Sequence, residues 1–324
     1  MLRHKIKRAT GIHFDDHALY AVELMRAHGE IILTARARVD LQVVDRVTGL
    51  TNPSVRTGIA VALEQARNHH GMRFQNVYTT LKEDSVFVKK FPIFYRKESD
   101  NRIQLEWEVR QFLPDKSQAY VFDCFTTRRA AFVVAVRRQA IEMVTSICRN
   151  AGISRPQVDV SSFALCNAME SSCVTSTDWI NVLLDFSRDY VMIILINKGE
   201  LQAVETCNWD GRHAMYGQTE SEMINDVKGE KAQSESMKVD LFLRSFEKFT
   251  QRELGTSKPD HVWLSGSHAL SGGWSKEIEN QLSFCSSLFD PFLNMDTTDV
   301  DDNVENPFAY AIASGLAFRG LSEV

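Results

Sequence analysis

Two widely separated stretches of this chain follow the same plan, and that duplication limits what it can fold into. Residues 10–14, 18–26 and 30–39 read as β-strands, broken by turns at Asp15-Asp16 and His28-Gly29. From residue 180 the pattern returns as "INVLLDFS", "DYVMIILINKGE" and "LQAVETCNW". Each triplet runs strand, tight turn with an acidic residue, strand, glycine-containing turn, strand. The first is followed by a helical stretch, 54–70, set between Pro53 and Gly71, and then by the strand "NVYTTL" at 76–81. A duplicated βββα unit predicts two related α/β lobes. At 324 residues the chain is longer than one hydrophobic core usually supports, which agrees.

Between the copies lies a block of different character, about residues 82–150. "SVFVKKFPI" reads as a strand. "SDNRIQLEWEVRQFLP" reads as a helix with Leu105, Val109, Phe112 and Leu113 on one stripe, stopped by Pro114. "AAFVVAVRR" is a buried strand, and "QAIEMVTSICRNAG" a helix burying Ile141, Val144, Cys148 and Ala151, with Gly152 as its C-terminal cap. Together these predict a small α/β insertion. After the second triplet, residues 217–238 are polar, either a solvated helix pair or a flexible loop. Phe242, Phe246 and Phe249 recur at helical spacing within 239–254, a core stripe. The last helix is expected to begin with Asn306 as cap and Pro307 in its first turn, and its Ala311, Ala313, Ser314 and Gly315 would allow close approach.

Charge and cysteine usage exclude several function classes. A net charge of −5 with a pI near 6.0 argues against general nucleic-acid binding, which needs a basic face. The six cysteines show no paired ligand spacing, so reduced thiols in a cytoplasmic protein are expected and no metal centre. The basic start "MLRHKIKRAT" lacks the apolar stretch of a signal peptide, and "YVMIILI" is too short to span a bilayer. No GxSxG, GxGxxG or P-loop lysine motif occurs. His69-His70 suit a helix C-terminus. Ser267 and His268, adjacent on a turn, are not expected to aim at one another.

The segments "GIHFDDHALYAVEL", "VYTTLKEDSVFVKKFPI", "EWEVRQFLP", "VDVSSFALCNA", "VLLDFSRDYVMIILINKGEL", "VWLSGSHALSGG" and "AIASGLAFRGL" occur in the order and spacing of the PilM family, the actin-like proteins of type IV pilus assembly. The chain resembles that family over nearly its whole length. "VFVKKFPI" and "WEVRQFLP" are its most specific parts, because they belong to the insertion shared with FtsA-like proteins. The resemblance implies an actin-like (ribonuclease H-like) two-lobed α/β fold with an FtsA-type 1C insertion. On that plan subdomain 1A takes residues 1–81 and returns at 153–179, and 1C takes 82–152. Subdomain 2A takes 180–216 and returns in 260–324 together with the C-terminal helix, with a reduced 2B at 217–259. It further implies a cytoplasmic protein, peripheral to the inner membrane, that grips the N-terminal segment of a PilN-like partner and can hold ATP and Mg²⁺ between its lobes. The ending "GLAFRGLSEV" matches where that family ends, so a whole chain is expected rather than a cut GspL-type secretion component. No C-terminal amphipathic helix for an FtsA-like membrane role is expected.

The residues at the implied nucleotide cleft depart from the family pattern. In the first loop the family has an Asp two residues after Gly11, then a glycine and hydroxyls, then a lysine before "AVEL". Here those positions hold His13, Asp15, Asp16, His17 and Tyr20. A carboxylate about 5 Å from a phosphate charge costs about 3 kcal/mol at an effective dielectric near 20. Asp15 or Asp16 could instead hold the magnesium. In the second loop Asp185 remains but Ser187 stands where a glycine would, followed by Arg188 and Asp189. In the third, Gly266 remains while Ser267 and His268 crowd the base side. Gly315 completes the cleft set. Three departures together predict a cleft without ATP hydrolysis and no catalytic residues, with no cofactor expected; the alternative is an ATP- and Mg²⁺-binding protein that cycles its cleft open and closed. The partner groove is placed on "SVFVKKFPIFYRK", an edge strand marked by Pro92 with Phe87, Phe91, Phe94 and Tyr95 as anchors. Phe87 and Phe91 could equally face the insertion's own core.

Overall fold

The computed structural model describes residues 7–15, 17–41, 52–81, 85–92, 98–113, 117, 119–128, 130–172, 176, 178–187, 190–208, 213–214, 235–271, 273–298, 300 and 306–322. Asp16, Phe94, Tyr95, Arg188, Asp189 and most of the polar stretch 217–238 lie outside the described residues. The chain divides into two compact units. The first comprises Met1–Val86, Val136–Val174 and Asp290–Val324, and the second Phe87–Ala135 and Thr175–Phe289.

In the first unit a five-stranded sheet has the order β3-β2-β1-β4-β8. Its strands are β1 (Lys7–Phe14), β2 (Ala18–Ala27), β3 (Glu30–Asp40), β4 (Val77–Thr80) and β8 (Gln157–Asp159). β1, β2 and β3 pair antiparallel, while β1–β4 and β4–β8 are parallel. In the second unit the strands are β9 (Ile180–Phe186), β10 (Tyr190–Asn197), β11 (Glu200–Asn208), β12 (His213–Ala214), β13 (His261–Ser265) and β14 (Ser286–Leu288). Their order is β12-β11-β10-β9-β13-β14. Here too the meander β9-β10-β11 is antiparallel, and β9–β13 and β13–β14 are parallel. Without the short β12, the second sheet repeats the topology of the first strand for strand. The repeated triplets in the sequence are therefore a duplicated fold unit. β2, β9 and β10 are buried along most of their length, which explains their near-continuous apolar runs.

Helix α1 (Pro53–His70) starts as its sequence dictates. Asn52 Oδ1 accepts from the Ser54 amide at 2.9 Å, Pro53 opens the first turn, and Gly71 closes the helix at φ +67°. Helix α3 (Arg138–Asn150) ends at Gly152 (φ +79°), where the Ile153 amide returns to the Cys148 carbonyl at 2.9 Å. Arg67 of α1 donates to the Ala151 carbonyl at 2.7 Å, and α3 falls in the first unit. The last helix, α7 (Ala311–Ser322), departs from expectation at its start. One 3-10 turn, Pro307–Tyr310, precedes it, and Asn306 makes no side-chain cap bond.

The third sheet, of order β5-β7-β6, is the insertion: β5 (Val86–Pro92), β6 (Tyr120–Thr126) and β7 (Ala130–Arg137), with α2 (Glu98–Arg110) laid on one face. Leu105, Val109 and Leu113 bury against Phe87, Phe91, Tyr120, Ala131, Val133 and Ala135. Phe112 does not join that stripe. It is 40% exposed, with Lys89 Nζ 3.6 Å above its ring. In the second unit α5 (Glu235–Leu254) buries Phe242, Phe246 and Phe249 as predicted. Phe186 stacks on Trp274, the first residue of α6 (Trp274–Leu282), at 4.8 Å between centroids. Among the described residues no helix is long and apolar enough to cross a membrane.

Candidate functional site

In the first unit the loop between β1 and β2 is closed by its own aspartate. Asp15 Oδ1 accepts from the backbone amides of His17 (2.7 Å) and Ala18 (2.8 Å), and the Asp15 amide bonds the Ala18 carbonyl at 3.0 Å. This is the Asx-turn use of aspartate, in which one carboxylate oxygen holds the hairpin. His13, two residues earlier, is buried. Its Nδ1 lies 2.9 Å from Thr80 Oγ1 at the end of the parallel strand β4, and its ring stacks against Tyr20. Burial drives the His13 pKa down to about 4, with the Asp15 charge pulling it partly back, so the imidazole is neutral at physiological pH.

Tyr20 stands opposite Arg38 in the β2–β3 register and hydrogen-bonds its side chain. Burial, with Asp15 adding to it, pushes the phenol up to about 12. Tyr310 meets the Tyr20 ring edge-on at 5.5 Å. Where the family resemblance implies a carboxylate for magnesium and a lysine for phosphate, this chain therefore holds a neutral imidazole tied to a threonine and a phenol tied to an arginine.

The glycines of the predicted cleft have packing roles. A Cβ on Gly11 would overlap the Ala313 carbonyl and the Ala317 amide of α7. One on Gly315 would overlap the Ala164 carbonyl of α4 (Ser161–Ser172). α7 is thus pressed between β1 and α4 at two points where only hydrogen fits. Neighbouring "AVEL" also has a structural explanation. Glu23 is buried, accepting from Arg8 Nη1 (3.3 Å), Thr34 Oγ1 (3.1 Å) and the Arg73 amide (2.9 Å).

In the second unit Asp185, at the end of β9, is buried and accepts from Ser265 Oγ at 2.9 Å, its register partner on β13. The Ser187 amide bonds the Tyr190 carbonyl at 3.0 Å and closes the β9–β10 turn. Gly266 (φ +98°) lies against the Phe186 backbone so closely that a Cβ would collide with it, and the His268 amide bonds the Phe186 carbonyl at 3.0 Å. One sequence expectation is corrected here. Ser267 Oγ and His268 Nδ1 are 3.1 Å apart and share a hydrogen bond, because the turn after Gly266 folds the two side chains onto one side.

The structure brings Gly11, His13, Asp15 and Gly315 into the first unit and Asp185, Ser187, Gly266 and Ser267 into the second. Among the described residues no group of acidic, histidine or cysteine side chains could hold a metal ion. Of the groove anchors, Phe87 and Phe91 are 7% and 6% exposed inside the insertion core, so they hold β5 from behind and do not face outward. Sequence reasoning missed Thr80 and Arg38. Arg38 had a signal, since hairpin register places it opposite Tyr20. Thr80 had none, lying 67 residues from His13.

No protein-family model matches the chain, and no curated protein does. Solved structures do. A chain of a PilM–PilN type IV pilus biogenesis complex is similar over 97% of this chain and 98% of its own, with a TM-score of 0.72 at 18% identity. A protein of unknown function with an actin-like ATPase fold, from Bacteroides thetaiotaomicron, matches 90% of this chain and 93% of its own, with a TM-score of 0.51 at 7% identity. The fold is actin-like. At these identities the likeness establishes architecture, and the duplicated sheets supply its internal counterpart.

Proposed function

We propose that this chain is a cytoplasmic PilM-like scaffold of a type IV pilus assembly platform, peripheral to the inner membrane, and that it works without hydrolysing ATP. It holds the cytoplasmic N-terminal segment of a PilN-like inner-membrane protein. The near-complete overlap with a chain from a PilM–PilN complex supports the first part. The observation that carries the second is His13, a buried neutral imidazole bonded to Thr80 where the family resemblance implies the magnesium carboxylate. A metal-bound triphosphate needs anionic ligands for the cation and cationic or amide donors for the phosphates. His13 supplies neither charge, and Asp15 gives one carboxylate oxygen, Oδ1, to its own turn.

On this reading the subdomain plan is 1A (1–81, 153–179), 1C (82–152), 2A (180–216, 260–324) and a reduced 2B (217–259), amended so that α3 and α7, which lie in the first unit, count with 1A. The partner segment binds as an extended strand along the outer edge of β5, the terminal strand of its sheet, through main-chain hydrogen bonds. Phe94 and Tyr95, outside the described residues, remain the proposed anchors. The test is fluorescence anisotropy of a labelled peptide copying the N-terminal segment of the PilN-like protein from the same organism, titrated with the full chain. Saturable binding is expected, and its absence at high protein concentration would overturn the scaffold reading.

A further inference from the structure

Among the described residues two ion pairs connect the insertion to the rest of the second unit, and the acceptor of the first is fixed in place. Lys90 of β5 sets Nζ 3.4 Å from Glu253 Oε2 in the last turn of α5. The Glu253 side chain is only 17% exposed. Its other oxygen accepts from Arg252 Nε at 3.0 Å, and its carbonyl accepts from Gln202 Nε2 of β11 at 3.1 Å. Arg252 reaches on to Glu205 of β11, a buried carboxylate, and lies over the Phe249 ring. The acceptor is thus gripped by α5 and β11 together, while the donor arrives on a long, 39% exposed lysine side chain. The second pair joins Arg128, in the turn between β6 and β7, to Glu200 at the start of β11, with Nε and Oε1 3.3 Å apart. Arg128 is almost fully exposed.

We propose that these two pairs form a releasable electrostatic clasp that rests the insertion on α5 and the β10–β11 turn. Solvent-exposed ion pairs are weak, each shifting an equilibrium by no more than about fivefold. They are also screened as the Debye length falls from about 8 Å at physiological salt to about 3 Å at 1 M. Lys90 shares the face of β5 that carries Val86 and Val88, while Phe87 and Phe91 anchor the opposite face beneath α2. Val86 and Val88 are buried on that face, so releasing Lys90 frees its exposed Lys90 end and leaves the core beneath α2 in place. The clasp concerns this chain's own charges and does not depend on which partner β5 receives.

The test is zero-length carbodiimide crosslinking of the full chain, mapped by mass spectrometry. A Lys90–Glu253 isopeptide link is expected at low salt, with its yield relative to total crosslinking falling about fivefold or more at 1 M salt. Amide hydrogen exchange supplies the second reading. Lys90→Glu, which sets two carboxylates together, should speed exchange about fivefold in the last turn of α5 and at Gly199-Glu200, leaving the β1–β2 hairpin unchanged. The exchange pair Lys90→Glu with Glu253→Lys should restore both the link and the protection. No link at low salt, a yield indifferent to salt, or unchanged exchange in Lys90→Glu would each overturn the clasp.

Discussion

His13 gives the most quantitative test of the altered loop, because its burial ties the protonation of one side chain to the stability of the fold. Its pKa falls from 6.5 in the unfolded chain to about 4 in the folded one, through burial opposed in part by Asp15. Below pH 6.5 the unfolded chain takes up a proton that the folded chain refuses until about pH 4, so stability is lost as pH falls through that window. Each tenfold difference in proton affinity is worth about 1.4 kcal/mol, which makes the whole displacement about 3 kcal/mol, of which about 2.5 is spent by pH 4.5. His13→Asn removes the titration while leaving an amide able to reach Thr80. Urea unfolding at about pH 7.5 and pH 4.5 should show the parent losing about 2.5 kcal/mol more than the variant. Parallel losses in the two proteins, or a His13 resonance titrating near 6.5 by NMR, would refute the reasoning.

Other outcomes follow from the packing. Gly11→Ala and Gly315→Ala should each destabilise by about 1–3 kcal/mol in thermal unfolding, since the added methyl meets the backbone of a packed helix. Gly58→Ala, in α1 with open space at its Cβ, should stabilise by about 0.5–1 kcal/mol. Glu23→Ala leaves Arg8 and the Arg73 amide without their carboxylate and should cost about 3 kcal/mol or more, measured by denaturant midpoint. Phe91→Asp should cooperatively unfold the insertion, visible as proteolytic nicking within residues 82–135, because it buries a charge among Phe87, Val109 and Val133.

The duplicated fold was legible from strand periodicity and turn residues alone, because both triplets obey local rules at every position. Helix α1 was equally plain: Asn52, Pro53 and Gly71 act within a few residues of one another. What could not be read were contacts made at long sequence separation. Gly11 and Gly266 look like phosphate-loop glycines in a string of letters, and only the approach of α7 and of the Phe186 backbone shows why a side chain is excluded. Phe112 fits the helical stripe by spacing, yet it lies beyond the last turn of α2, where the helical phase no longer holds. Ser267 and His268 were misjudged because a left-handed glycine before them reorients the turn. The altered cleft positions, by contrast, were visible at once as residue types, and the structure adds that His13 and Asp15 are engaged with the protein itself.

The central claim is that this actin-like fold has kept its architecture while its first loop has given up metal-bound nucleotide. Isothermal titration calorimetry of the full chain with ATP in excess Mg²⁺ tests it most directly. The account predicts no saturable heat and no shift in melting temperature on adding the nucleotide. A saturable isotherm with micromolar affinity, accompanied by thermal stabilisation, would contradict it.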